Sequence, residues 1–188
     1  MVAGADIGDE ELMLSYREGD AGAFDALYAR HKGGVYRYLL RQCRDAATAE
    51  ELFQDVWMNL IRARAGYTVQ AKFTTYLYRL AHNRLIDHYR RNGHVALVSF
   101  DDEEREELAE LPDERERPAD ETLDARRQAG RLLELIAALP GAQREAFLLQ
   151  QEVGMSVEQI AQATGVTRET AKSRLRYAMA RLRQGMRE

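Results

Sequence analysis

Ser156-Val-Glu-Gln-Ile-Ala-Gln-Ala-Thr-Gly165-Val-Thr-Arg-Glu-Thr-Ala-Lys-Ser-Arg-Leu175 reads as two short helices joined by a tight turn. Ser156 and Gln159 have the spacing of a capping box, which starts a helix at Val157. Gly165 falls where that helix must stop and the chain must turn through positive φ. Thr167 then caps a second helix. On it Ala171, Leu175, Ala178 and Leu182 recur at steps of four, three and four, which makes one buried face. Ala161 and Ala171 are small enough to let the two helices cross closely. Arg168, Glu169, Lys172, Ser173 and Arg176 are left for the outer face. From Gly165 to Arg187 there are seven Lys/Arg against one Glu. A solvated helix pair in an all-α domain would also carry charge outside. The caps, the turn glycine, the small core residues and the basic outer face together favour a helix-turn-helix that enters a DNA major groove.

The 188-residue chain has a formal charge of −4, which at first argues against nucleic acid. The charge is not evenly spread. Residues 101–121 hold twelve Asp/Glu and three Arg, and the rest of the chain is net basic. The first eleven residues lack the basic and apolar regions of a signal peptide. No apolar run nears the ~18 residues that span a bilayer. Cys43 is the single cysteine, so no disulfide can form within the chain and a cysteine zinc site is not expected. These features predict a cytoplasmic protein without membrane insertion.

Helical periodicity dominates, and the three prolines (Pro112, Pro118, Pro140) lie in the acidic stretch or at a helix end. The pattern predicts helices over Glu10–Glu18, Ala21–Arg44 (with a break near Gly33-Gly34), Thr48–Ala63 behind a Thr48/Glu51 capping box, and Thr74–Arg91. A loop spans Arg64–Lys72. Helices over Thr122–Leu139 and Gln143–Glu152 then precede the helix-turn-helix. The fold class is all-α. It comprises two small helical domains, 1–95 and 122–188, joined by an acidic linker, 96–121. Each domain is small and is expected to build its own core by amphipathic packing.

The first domain carries a basic surface of its own. Arg62, Arg64, Lys72, Arg79, Arg84, Arg90 and Arg91 stand against the single acid Asp87 between residues 62 and 94. Tyr67, Phe73, Tyr76, Tyr78 and Tyr89 are interleaved with them. Cations with aromatics suit single-stranded nucleic acid, the cations following phosphates and the rings meeting bases. Phe73, Leu77, Leu80 and Ala81 have core spacing, whereas Tyr67 and Tyr76 are expected to be exposed. His82, His88 and His94 are read as surface or half-buried side chains, not metal ligands. The preceding helix has two adjacent apolar stripes. Leu52, Val56, Leu60 and Ala63 form one; Phe53, Trp57 and Ile61 form the other. Such a helix is either buried on both flanks or offers its aromatic stripe to a partner.

Together these segments resemble bacterial RNA polymerase sigma factors of the extracytoplasmic-function (ECF) group in the sigma-70 family. Ala49-Glu-Glu-Leu-Phe-Gln-Asp-Val-Trp57 resembles that family's polymerase-binding helix. Phe73–Arg91 is similar to its helix for melting and reading the −10 element. Leu139 to Leu182, with Ala-Lys-Ser-Arg-Leu at 171–175, resembles its −35-reading domain. The resemblance implies that Glu51, Phe53, Gln54, Asp55, Trp57 and Ile61 bind core RNA polymerase. It implies −10 contacts from Arg64, Tyr67, Lys72, Tyr76, Arg79, Asn83, Arg84, Arg90 and Arg91. It implies −35 contacts from Thr167, Arg168, Glu169, Lys172, Ser173, Arg176 and Tyr177. The chain departs from the family's usual residues at Ala171 and Tyr177. An anti-sigma protein is an implied partner, and the acidic linker would be either a mimic of nucleic acid or a solvated spacer.

The expected function is therefore promoter selection for core polymerase, with duplex −35 and melted −10 DNA as ligands. The alternative is a stand-alone helix-turn-helix regulator. No enzyme, cofactor or metal is expected: the chain offers no phosphate-binding glycine loop, metal-ligand cluster or nucleophile–base pair.

Overall fold

The computed structural model describes residues 7–93 and 123–187, and the described residues are helical with no strand. In chain order the helices are α1 (Asp9–Arg17), α2 (Ala21–Cys43), α3 (Ala46–Ala63) and, after a 3₁₀ turn at Arg64–Gly66, α4 (Phe73–Arg91). There follow α5 (Leu123–Ala138), α6 (Gly141–Gln151), α7 (Val157–Thr164) and α8 (Arg168–Arg187). The acidic linker and His94 lie outside the described residues.

Several helix starts are set by side chains. Asp20 caps α2 by accepting from the Gly22 and Ala23 amides at 2.9 and 3.4 Å. The expected Thr48/Glu51 capping box is not what starts α3. That helix begins two residues earlier, because the Asp45 carboxylate accepts from the Thr48 amide at 2.8 Å. This bond holds the Asp45 carboxyl below its usual range. The start of α4 is capped from a distance: Glu10 of α1 accepts from the Phe73 amide at 2.6 Å. In the C-terminal half, α6 starts at Gly141, directly after Pro140. Both bonds of the Ser156/Gln159 capping box are present, at 2.9 and 3.2 Å. Gly165 turns left-handed at φ 69°.

The expected break of α2 at Gly33-Gly34 does not occur; the helix runs unbroken to Cys43. A Cβ on Gly34 would stand 2.8 Å from the Tyr78 hydroxyl. This glycine therefore serves close approach of α4 and not a kink.

The first four helices enclose an aromatic cluster. Trp57 of α3 lies 4.9 Å from Tyr28 and 5.9 Å from Phe24 between ring centroids, and Phe24 lies 5.0 Å from Tyr16. Leu52, Val56 and Leu60 fill the opposite flank of α3. The helix is thus buried on both sides, with Trp57 only 4% exposed.

The two halves are not independent. One buried cluster runs from Tyr38, Leu77 and Tyr78 into Leu149, Met155, Ile160 and Ala171. A smaller cluster of Ile136, Leu139, Leu148, Ala178 and Leu182 joins α5 and α6 to α8. The expectation of two separately built cores is replaced by a shared one, because α7 packs along α4 and α6 against α2.

Gly185 illustrates how tightly α5 and α8 meet. A Cβ there would collide with the Leu135 side chain, and Arg131 donates twice to the Gly185 carbonyl, at 2.7 and 2.5 Å. Gly130 of α5 has nothing within 4 Å of its Cβ position. Gly185→Ala is expected to lower unfolding free energy by about 1–3 kcal/mol through overpacking. Gly130→Ala should raise it by about 0.5–1 kcal/mol, because alanine loses less backbone entropy in a helix. Urea titrations of the two variants would show opposite shifts in midpoint.

Candidate nucleic-acid interface

On α8 the candidate side chains divide by exposure. Thr167, Arg168, Glu169, Lys172 and Arg176 are exposed, whereas Ser173 and Tyr177 are half-buried. Arg168, Lys172 and Arg176 follow at steps of four and share one face. Ala171, Leu175, Ala178 and Leu182 are buried on the other, as their spacing predicts. Thr167 caps α8 by accepting from the Thr170 amide at 3.1 Å.

Two of the cations are already engaged. Arg168 bonds Glu158 of α7 at 2.5 Å, which lowers the Glu158 carboxyl and raises the Arg168 guanidinium from their ordinary values. Arg176 lies over the Tyr177 ring at 5.1 Å and reaches its hydroxyl at 3.3 Å. Tyr177 thereby gains a structural task, which is to hold the Arg176 head in a defined place.

A second exposed stripe runs along α4. Arg79, Asn83 and Arg90 are exposed and Tyr76 half-exposed, at steps of three, four and seven that keep them on one face. Lys72 and Arg91 are exposed at the two ends of this helix. Arg64 is exposed in the preceding turn, with its guanidinium 5.2 Å over the Tyr16 ring.

Arg84 departs from this pattern. It turns to the other side of α4 and pairs with Asp55 of α3, with Asp87 3.6 Å away. Among the described residues this ion pair links the polymerase-binding candidates to the −10 candidates, and it draws Arg84 off the exposed stripe.

Tyr67 is also corrected. It is 5% exposed, not presented to solvent. Its ring packs edge-on to Tyr76 at 5.1 Å, and its carbonyl accepts from Arg17 at 3.0 Å. The loop is therefore pinned to α1, and Tyr67 supports Tyr76 from beneath. His82, expected at or near the surface, is likewise buried.

On α3 the exposed edge consists of Glu51 and Gln54, with Met58 44% exposed beside them. Asp55, Phe53 and Ile61 are half-buried. Trp57 belongs to the core and supports this edge from within. Among the described residues no group of His, Cys, Asp and Glu could hold a metal, and no helix is long and apolar enough to cross a membrane.

A cleft of about 560 Å³ lies between the loop before α4 and the α6–α7 turn, with Glu10, Lys72 and Thr74 on one wall and Val153, Met155 and Gln159 on the other. Sequence patterns missed the groups that join the two halves. Glu145 of α6 is 1% exposed. Its Oε1 accepts from the Tyr38 hydroxyl at 2.5 Å and from His82 Nδ1 at 2.7 Å. Burial, together with this carboxylate, pushes the Tyr38 hydroxyl well above its ordinary range. Arg144, next to it, donates to the Gln42 side chain at 3.2 Å and to the Leu139 carbonyl at 3.2 Å. A polar residue at a helical position otherwise reserved for the core was the one available signal.

Residues 27–95 match the family described as Sigma-70 region 2, and residues 129–182 match Sigma-70, region 4. The RNA polymerase sigma factor CarQ of Myxococcus xanthus is 30% identical over 92% of this chain and 94% of its own. The ECF RNA polymerase sigma factor SigK of Mycobacterium sp. (strain KMS) is 30% identical over 88% of this chain and 83% of its own. Among solved structures, CnrH in complex with the cytosolic domain of CnrY superposes with a TM-score of 0.66 at 20% identity, covering 94% of this chain and 95% of that one. The sigma factor RpoE from Bartonella quintana, in complex with the anti-sigma factor NepR, gives 0.64 at 21% identity, over 87% and 96%. These two likenesses are of fold. The chain belongs to the ECF group of RNA polymerase sigma factors, in the sigma-70 family. It is a transcription initiation factor that directs RNA polymerase.

Cys43 reports on the seam between the two halves. Burial, with Asp45 nearby, pushes its thiol up to about 11. At pH 8 the reactive thiolate is therefore scarcer, by on the order of 10²-fold, than for a free thiol. Disulfide exchange with a chromogenic reagent should be slow at pH 8, speed up as pH rises toward 11, and become ordinary in urea.

Proposed function

We propose that the two exposed basic faces are the two promoter readers. The α8 face of Arg168, Lys172 and Arg176 enters the −35 major groove, where Arg and Lys can pair with guanine O6 and N7. Thr167, Glu169, Ser173 and Tyr177 flank it. The α4 stripe of Tyr76, Arg79, Asn83 and Arg90, with Arg64, Lys72 and Arg91, holds the melted −10 strand. A flipped base must be compensated for lost stacking, and the Tyr76–Tyr67 pair offers an aromatic surface for that. The α3 edge of Glu51, Gln54 and Asp55 docks on core polymerase, with Phe53, Trp57 and Ile61 setting its shape and Arg84 orienting Asp55. The domain division is 1–95, 96–121 and 122–188.

The observation that carries this reading is the presence of two separate exposed cationic faces, one in each sigma-matching half of the chain. On it the protein is not an enzyme, acts in the cytoplasm, and leaves catalysis to the polymerase. The likeness to RpoE in complex with the anti-sigma factor NepR supports an anti-sigma partner as well.

Run-off transcription with core enzyme tests the whole. The factor should raise initiation at a subset of promoters, and initiation no better than core alone would overturn the reading. Gln54→Ala with Asp55→Ala should abolish co-purification with core and leave circular dichroism unchanged. Lys172→Ala should weaken −35 binding by the holoenzyme by about 1–3 kcal/mol and relax its preference at the one base pair that Lys172 reads, as scored by competition among single-base variants of the element. A stand-alone regulator would instead retain full promoter binding without core.

A further inference from the structure

A second cleft, of about 510 Å³, opens where the ends of α2 and α4 meet the start of α6. Its size suits a small ligand, for which sites of about 300–1,000 Å³ are usual. Its charge is one-sided. Arg44, His88 and Arg144 line it, and among the described residues no carboxylate does. Two acids lie near, but both are engaged elsewhere: Asp45 caps α3, and Glu145 is bonded to Tyr38 and His82. Cys43, also on the wall, adds no negative charge, because burial keeps its thiol protonated.

Three sets of donors meet there without an acceptor. The first is the start of α6, whose Pro140 and Gly141 line the cleft. Pro140 takes the N-cap position, and no side chain caps the helix. Its first amides therefore lack the acceptor that Asp20, Asp45 and Ser156 give to other helices. An uncapped helix start attracts an anion. The second is Arg44, which ends α2 in the left-handed conformation at φ 59°. Glycine or asparagine ordinarily fills such a position. The Arg44 guanidinium is exposed and makes no hydrogen bond or ion pair among the described residues. The third is Gln42, which is 4% exposed. Its Oε1 accepts from Arg144 Nε at 3.2 Å, which leaves Nε2 as a buried donor with no partner.

Arg144 uses its Nη1 on the Ala137 and Leu139 carbonyls, while its Nη2 reaches only the Gln42 carbonyl, at 3.5 Å. Burial, with Arg44 nearby, lowers its guanidinium from the ordinary value. An anion between the two arginines would relieve their repulsion.

We propose that this cleft binds a small phosphorylated molecule, with the phosphate held by Arg44 and the start of α6. A phosphate offers three terminal oxygens to the three sets of donors, whereas a carboxylate offers two. Phosphate alone would not fill the cleft, and Leu139 and Pro140 supply an apolar wall for the rest of the ligand. The floor is buried, with Arg144 as hidden as Gln42, which favours a small molecule over the backbone of a duplex. None of these residues is assigned above to promoter or polymerase contact.

Cys43 lines the cleft and is the single cysteine, so its disulfide exchange reports occupancy. With the full chain and a neutral chromogenic disulfide at pH 8, phenyl phosphate should slow exchange saturably, by about tenfold at about ten times its Kd. Inorganic phosphate should need a higher concentration. Benzoate, which puts the same ring on a carboxylate, should protect less. Sodium chloride at matched ionic strength should not protect. Arg44→Gly suits the left-handed position and so keeps the fold, yet it should abolish protection. Arg183→Ala, on α8 outside the cleft, should retain it. No slowing by phenyl phosphate, equal slowing by benzoate or chloride, or protection that survives Arg44→Gly would overturn the site. Inorganic phosphate as potent as phenyl phosphate would overturn the assignment to an organic phosphate. Protection by a short DNA duplex and by neither phosphate would give the cleft to nucleic acid and overturn the proposal. None of these outcomes depends on the promoter reading.

Discussion

A carboxylate with one bonded and one unbonded oxygen, buried where helices from both ends of the chain meet, sets the relation between the parts of this protein. Glu145 can be satisfied only if α2 brings Tyr38 and α4 brings His82 to the same point. Those helices can do so because Gly34 leaves room for the Tyr78 hydroxyl. Once α6 is fixed there, the helix-turn-helix that follows it has little freedom, and α7 comes to lie along α4. The apolar cluster that spans both halves supplies most of the attraction. The polar contacts decide its register, since a shift by one helical turn would strand the carboxylate.

Cations in this chain divide into those that hold the fold and those left over. Arg17, Arg84, Arg131 and Arg144 bond carbonyls, carboxylates or amides within the protein. Lys72, Arg79, Arg90 and Lys172 lie exposed on the outer faces. Burial of Arg144, with Arg44 nearby, even lowers its guanidinium from the ordinary value. Counting charge along the sequence cannot make this division, because an arginine that caps a loop and one that meets a phosphate are the same letter. Contacts such as Arg84–Asp55 tie an arginine to α3 and take it off the exposed stripe of α4.

The helix-turn-helix was legible almost atom by atom. Its signals are local: a capping box over four residues, a glycine at the turn, and an apolar repeat every three or four. The N-terminal helices were legible as helices, but their starts were not. Asp45 and Glu10 act as caps that depend on where the chain reverses and on what α1 lies against. Gly33-Gly34 looked like a break because glycine weakens helices. It proved instead to be a site of close packing. Tyr67 looked exposed because it sits in a loop between cations, yet the loop folds back on α1 and buries it. Trp57 was ambiguous in sequence for a plain reason: a stripe that faces a partner and a stripe that faces a neighbouring helix have the same period.

The sequence by itself determined that the chain is all-α, that it carries a helix-turn-helix in its second half, and that positive charge gathers on two segments. These follow from propensities, caps and periodicity, which act over a few residues. Only the tertiary structure decided which aromatics are core, which arginines are spent on the fold, and that the two halves close on each other around Glu145. Those outcomes depend on groups up to 107 residues apart meeting in space. Desolvation of such groups is a property of the assembled interior and is written at no single position of the chain.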